Sequence, residues 1–344
     1  MRPVFSIRAD GQDITALIND RLLSLRTTDK PGLDSDDFEL RIDARDGALA
    51  LPSRGAVLEV HLGYAGQPLT LLGRFTVDEV ELSGPPDTLV IRGKASDLCG
   101  SGRTIRSGSW ENVSLQRIVA EIGARNGWQS ICPVTRVIPR VDQFRESDFN
   151  FITRLARLYD STAKLANGQL LVLPRQGGQS ASGQALGVVT LKRSEVSQWQ
   201  FRLDDKASRK AVRTCHQSPA SGVREVVELV NDNTSGSARP VHMDRHLYPN
   251  RAAAEQAARA HLASFNRDTA HVRLDMPGRT DLFVERSLDI SGFVDGLDGQ
   301  YLIDSVEQVF TPSGWRTSVQ CNGGKTGKAA SKGHRPRKAG SLKA

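Results

Sequence analysis

Very little in this chain is suited to covalent or metal chemistry. Its four cysteines, Cys99, Cys132, Cys215 and Cys321, lie too far apart for a zinc knuckle, and none forms a Cys-x-x-Cys pair. They read as reduced structural thiols. Among seven scattered histidines, His242 and His246 stand four apart, but Pro240 and Pro249 bracket them and no third ligand follows, so no metal is expected. There is no Gly-x-Ser-x-Gly and no Walker loop; "GLDGQ" and "GPPDT" read as turns. The carboxylate pairs Asp36-Asp37 and Asp204-Asp205 read as surface residues. No window reaches the 18 or so apolar residues of a membrane span. "MRPVFSIRADG" has neither an apolar h-region nor a cleavage site. The expectation is a protein without catalysis, cofactor, metal or membrane insertion, made in the bacterial cytoplasm.

What is present starts with charge. Of 46 basic residues, seven fall in "NGGKTGKAASKGHRPRKAGSLKA" (322–344), which has no acidic residue; the rest of the chain carries 39 basic against 39 acidic. The net +7 therefore belongs to a Gly/Ser/Ala/Lys-rich tail that cannot bury a core and is expected to be disordered over 323–344. A nucleic-acid-binding domain would carry its charge on a folded face. "RVIPR", "SRKAVR" and the tail leave a nucleic-acid-associated role open only as an alternative, and a cell-envelope hydrolase as a weaker one.

Patterning along the chain predicts an α+β, mainly β protein. Period-two alternation such as Phe38, Leu40, Ile42 and then Phe75, Val77 marks strands over 1–100. Residues 101–178 change character. Leu115, Ile118, Val119 and Ile122 recur at helical spacing after Ser114, with Gly127 as the stop. In "FRESDFNFITRLARLYD" (144–160), Ser147 caps a second helix and Asp148 suits its positive end. Phe149, Phe151, Ile152, Leu155 and Ala156 give that helix a wide apolar face, leaving Arg154 and Arg157 outside. Phe151→Asp or Leu155→Asp is expected to unfold the unit, because the charge would be buried unpaired. Asn167-Gly168 then signals a hairpin. Strands return over 179–322, interrupted by one long helix near 250–267 capped by Asn250.

An internal repeat links the two ends. "GRFTVDEVELSGPP" (73–86) aligns without a gap on "GQYLIDSVEQVFTP" (299–312), matching Gly73 with Gly299, Phe75 with Tyr301, Val77 with Ile303, Asp78 with Asp304 and Glu81 with Glu307. Two related antiparallel β-domains with a small α/β unit inserted between them are expected. Three such chains in a ring present six similar units, which lets a trimer meet a six-fold partner. The strands near 73–92 and 299–321 are expected to supply pairing edges.

The segment Glu146, Ser147, Asp148, Phe151, Ile152, Arg154, Leu155 and Ala156, the preceding "SWENVSLQRIVAEIGARNG" and the flanking repeat resemble the phage late control D family. These are the baseplate hub proteins of P2-like contractile tails. They are similar to the T4-type hub and to the N-terminal hub portion of type VI secretion (VgrG) spike proteins. The resemblance implies two tail-tube-like β-barrel domains and a homotrimeric pseudo-six-fold ring between the hexameric tail tube and the trimeric central spike. Baseplate wedge and tape-measure proteins are further candidate partners. Unlike the type VI proteins, this chain is expected to carry no fused β-helical spike, and no lysozyme-like module or helix-turn-helix pattern is visible in it.

Overall fold

The computed structural model describes all residues except 34–35, 48–50, 96–100, 167, 179–185, 219–220, 235–239 and 329–344. Seven strands open the chain: β1 (Pro3–Ala9), β2 (Gln12–Asp13), β3 (Leu22–Asp29), β4 (Asp37–Asp43), β5 (Val57–Tyr64), β6 (Thr70–Ser83) and β7 (Thr88–Ala95), with a short helix α1 (Thr15–Ile18) after β2. They pair antiparallel in the order β3-β4-β7-β6-β5-β1-β2. Alternate residues, Leu25, Leu40, Ile42, Leu58, Val60, Phe75 and Val77, turn to one face and are almost fully buried. The sheet curls until Phe5 of β1 meets Phe310, ring centroids 5.2 Å apart, so one core is shared by strands far apart in the chain.

The insertion follows: β8 (Ile105–Ser114), α2 (Leu115–Asn126), β9 (Gln129–Ile131), β10 (Val137–Ser147), α3 (Asp148–Leu158), β11 (Ser161–Ala166) and β12 (Gln169–Pro174). Both helices start at the serines singled out by the sequence. Ser114 Oγ accepts from Arg117 N and Ser147 Oγ from Asn150 N, and Gly127 closes α2 at φ +75°. Each helix continues directly from a strand of a long two-stranded ribbon, β8·β10, which the sequence pattern does not announce. Its mixed pattern, exposed at Ile105, Val137 and Phe144, lacks the clean alternation of a half-buried sheet. Of the hairpin turn, Gly168 sits at φ +72°; Asn167 lies outside the described residues.

The remaining strands are β13 (Val189–Lys192), β14 (Gln198–Leu203), β15 (Ala211–Gln217), β16 (Arg224–Val230), β17 (Val241–Tyr248), β18 (Ala270–Pro277), β19 (Ser287–Ser291), β20 (Gly299–Thr311) and β21 (Gly314–Asn322), with α4 (Arg251–Arg267) between β17 and β18. The expectation that 179–322 forms one β-domain needs correction. β15, β16 and β17 leave the large sheet and make a separate three-stranded one, against which α4 packs. Alanines 254, 257 and 258 give α4 a smooth buried face, and Thr214 Oγ1 donates to Ala254 O at 2.9 Å. The other strands line up as β14-β18-β21-β20-β19-β13 around a second core, including Leu274, Ile290, Tyr301, Ile303 and Val319.

β20 also pairs antiparallel with β3, from Val306↔Asp29 to Phe310↔Leu25, which makes the two assemblies one continuous sheet. This corrects the expected edges in part: β7, β20 and β21 are interior strands and β6 is paired on both sides only as far as Val77, while β14 ends the sheet. The tail expected to begin at 323 is held as far as Lys328. Gly323 N donates to Arg267 O, Lys325 N to Gln176 Oε1 and Lys328 N to Thr269 Oγ1. Residues 329–344 lie outside the described chain.

Candidate functional site

The residues matched in the repeat occupy matching places. Gly73 faces Val60 and Phe75 faces Leu58 across β5; Gly299 faces Ile290 and Tyr301 faces Leu288 across β19. Phe75, Val77, Tyr301 and Ile303 all point into their cores. On the other side, the β6·β7 register slips between Val77 and Glu79, and the β20·β21 register slips between Ile303 and Ser305. Asp78 and Asp304 are thus the extra residues of two β-bulges at the same point of two strands. The strand order β3-β4-β7-β6-β5-β1 is also that of β14-β18-β21-β20-β19-β13, except that β13 runs parallel to its neighbour whereas β1 runs antiparallel. Glu81 pairs with Arg92 at 3.0 Å and Glu307 with Arg26 at 3.3 Å.

The motif helix α3 is a packing element on one side and a clamp on the other. Phe151 stacks on Trp110 (4.9 Å) and Phe149 on Trp128 (5.4 Å), while Ile152 and Leu155 are buried with Leu115, Ile118 and Ile122 of α2. Arg154 is exposed and holds Glu146 at 2.6 Å. Asp148 is fully buried, which its cap position did not suggest. Its carboxylate accepts from Arg125 Nε (3.0 Å) and, more closely, Arg125 Nη2. It also accepts from Asn126 Nδ2 (2.8 Å) and Gln143 Nε2 (2.9 Å). Arg125 and Gln143 carry no local sequence signal for this role; only the fold brings the end of α2 and β10 to the start of α3.

Charged clusters lock the three parts together. Lys164 of β11 lies 2.6 Å from Asp29 and 3.1 Å from Asp36, and Asp29 also accepts from Val284 N at 3.0 Å. Asp36 is therefore no ordinary surface carboxylate. Burial and the neighbouring Asp29 charge raise its pKa to about 6, against the pull of Lys164. Glu285 accepts from Thr162 Oγ1 and Arg175 Nε, both at 2.9 Å, and Arg267 holds Asp160 at 2.6 Å. These groups are positioned to join surfaces.

His242 and His246 lie on strand β17 and not on a helix, so their spacing of four does not set them on one helical face. Among the described residues no group of three His, Cys, Asp or Glu is arranged to hold a metal. Cys132, Cys215 and Cys321 are buried and unbridged, and burial pushes the Cys321 thiol well above its usual range. No described helix is long and apolar enough to cross a membrane.

A bulged strand pair used twice, an α/β brace and charged mortar between them define an architectural protein of the tail-protein type. The chain matches the phage tail baseplate hub (GPD) family over residues 32–313. It is 32% identical over 359 residues to the probable baseplate hub protein of Escherichia phage P2, covering 93% of each chain. Its fold is similar to that of the 43 kDa tail protein of prophage MuSo2 from Shewanella oneidensis, with a TM-score of 0.72 at 15% identity, covering 96% of this chain and 100% of that one. An Escherichia coli component of the type VI secretion system shares the fold at a TM-score of 0.56 and 12% identity, over 88% of this chain and 73% of that one. The chain belongs to the phage tail baseplate hub family and is a structural part of the tail baseplate.

Proposed function

We propose that the protein is a homotrimeric hub whose six β-units form a pseudo-six-fold ring, joining the hexameric tail tube to the trimeric central spike. The observation that carries this reading is the shared strand order of the two β-units, down to the bulges at Asp78 and Asp304. The role is mechanical and needs no catalysis. The protein is made in the bacterial cytoplasm and built into the baseplate; the alternatives of a nucleic-acid or hydrolytic role gain no support from the sites described above.

The contact within the chain supplies the rule for contacts between chains. β20 of the second unit pairs with β3 of the first. In a ring of alternating units, the equivalent strand β6 then pairs with β14 of the partner subunit, since β14 holds the place of β3. Both partners are available: past Val77, β6 is paired only by β7, and β14 ends the sheet. Carrying the register across sets Glu81 opposite Arg202 of the partner subunit, Leu82 opposite Phe201 of the partner subunit and Ser83 opposite Gln200 of the partner subunit. An ion pair and an apolar pair face each other, and Leu82, 62% exposed in the single chain, gains cover.

The test is the mass of the purified protein in solution, expected near three times 37.5 kDa alone or with the spike. Ser83→Cys/Gln200→Cys should then yield covalent trimers on oxidation. A strict monomer that never joins tail components overturns the reading. A trimer that fails to cross-link overturns only the register.

A further inference from the structure

The described surface holds one large basic cleft, of about 1090 Å³, where α3 faces α4 beside β11. It is lined by Arg103, Arg154, Arg157, Arg175 and Arg267, against only two acidic residues, Glu146 and Asp160. Local pairing does not cancel this excess. Arg154 is taken by Glu146 and Arg175 by Glu285, but Arg103 and Arg157 stand exposed at the rim with no ion pair among the described residues. At the floor Arg267 is 5% exposed. Its Nη2 donates to Asp160 at 2.6 Å, while its Nη1 donates to none of the described residues. A buried guanidinium with one unmet donor is a standing cost, and an incoming negative charge is the natural way to offset it. Lys325 lies 3.8 Å from the same Asp160, which leaves two cations sharing one carboxylate.

We propose that this cleft is a docking site for an acidic peptide segment of a partner protein, with apolar residues between its carboxylates. Separated guanidinium groups suit discrete carboxylates, each able to accept two parallel hydrogen bonds. Leu33, Phe149 and Leu158 also line the walls and take up apolar side chains. The chain's own C-terminal tail is excluded by its sign: 329–344 adds five basic residues and no acidic one. The site stands apart from the strands proposed to close the ring.

The experiment titrates the full-length protein into a fluorescein-labelled eight-residue peptide of alternating Glu and Leu, read by anisotropy, with labelled oligothymidine in parallel. Saturable peptide binding is expected, weakened about tenfold or more in Arg103→Glu/Arg157→Glu. Both side chains are exposed, so that variant should melt as the wild type does. Binding should also survive removal of 329–344. Absence of saturable binding, equal affinity in the double variant, or oligothymidine binding that depends on the same two arginines would each overturn the proposal.

Discussion

Asp148 offers a sharp test of how the α/β unit is held. Its carboxylate is fully enclosed and takes hydrogen bonds from three side chains belonging to α2 and β10. A second cation, Arg106, lies 3.6 Å away. Asp148→Ala removes the carboxylate these donors share and leaves Arg125 without its counter-charge, although Arg125 keeps Gln143 Oε1, Asn126 keeps Ile122 O and Gln143 keeps Glu146 O. Breaking a buried ion pair from one side costs about 3–5 kcal/mol. The Arg125 side chain is 31% exposed and can turn to water, which places this case near the lower figure. At about 3 kcal/mol, local opening becomes roughly 150-fold more frequent. Hydrogen exchange should therefore speed up by about that factor at the slowest amides of α2 and α3, with β4 unchanged. Replacing both partners, as in Arg125→Leu/Asp148→Leu, should recover part of the loss, because only Arg106, whose side chain is 36% exposed, is left without its carboxylate. An Asp148→Ala protein whose helices exchange within about threefold of wild type would refute the reasoning.

Three further outcomes can be checked by thermal unfolding. Gly278→Ala should destabilise by about 1–3 kcal/mol, since a Cβ there overlaps the Trp315 ring, which is pinned by its Nε1–H bond to Gln308. Asp36 has a folded-state pKa of about 6, above the unfolded value near 3.9, so the folded form binds more protons between those values. Its contribution favours folding at low pH and is lost as pH rises through about 6, by on the order of 2–3 kcal/mol. Asp36→Asn stays neutral and leaves Lys164 paired with Asp29 alone; its Tm should match wild type near pH 4 and exceed it above about pH 7. A chain ending at Lys328 should melt as the full chain does. One ending at Asn322 loses three hydrogen bonds around the end of α4 and one to Gln176, costing about 2–4 kcal/mol and several degrees in Tm.

What could be read from the sequence was local. Ser114, Ser147 and Asn250 mark helix starts because each side chain accepts from an N–H three residues on, and Gly127 marks an end because it takes the left-handed turn and its N–H bonds back to Ala124 O. Alternation gave the half-buried strands because burial on one face repeats every second residue. The ribbon β8·β10 escaped because much of it faces water on both sides and so has no apolar rhythm. The small sheet behind α4 escaped for a different reason. Val226, Val230, Val241, Met243 and Leu247 are exposed apolar residues on strands, and alternation cannot tell which sheet a strand will join. Lys164 and Glu285, the two charges that bind the insertion to its neighbours, lie about 120 residues apart and meet no motif.

Asp78 and Asp304 show how one inherited feature takes two uses. A bulge turns its extra residue out of the ladder, so its side chain is free to serve whatever lies beside the strand. In the second unit the insertion lies there, and Asp304 sits 3.5 Å from Arg175 and accepts from Asn322 Nδ2 at 3.2 Å. In the first unit none of the described residues bonds Asp78, which is exposed at the point where β6 runs beyond β5. A bulge costs the sheet a hydrogen-bonded step wherever it occurs. Its presence in β6, where no intramolecular partner uses it, follows if the unpaired half of that strand is itself a contact surface. The asymmetry between the two aspartates is then the difference between a joint made inside the chain and one awaiting another copy.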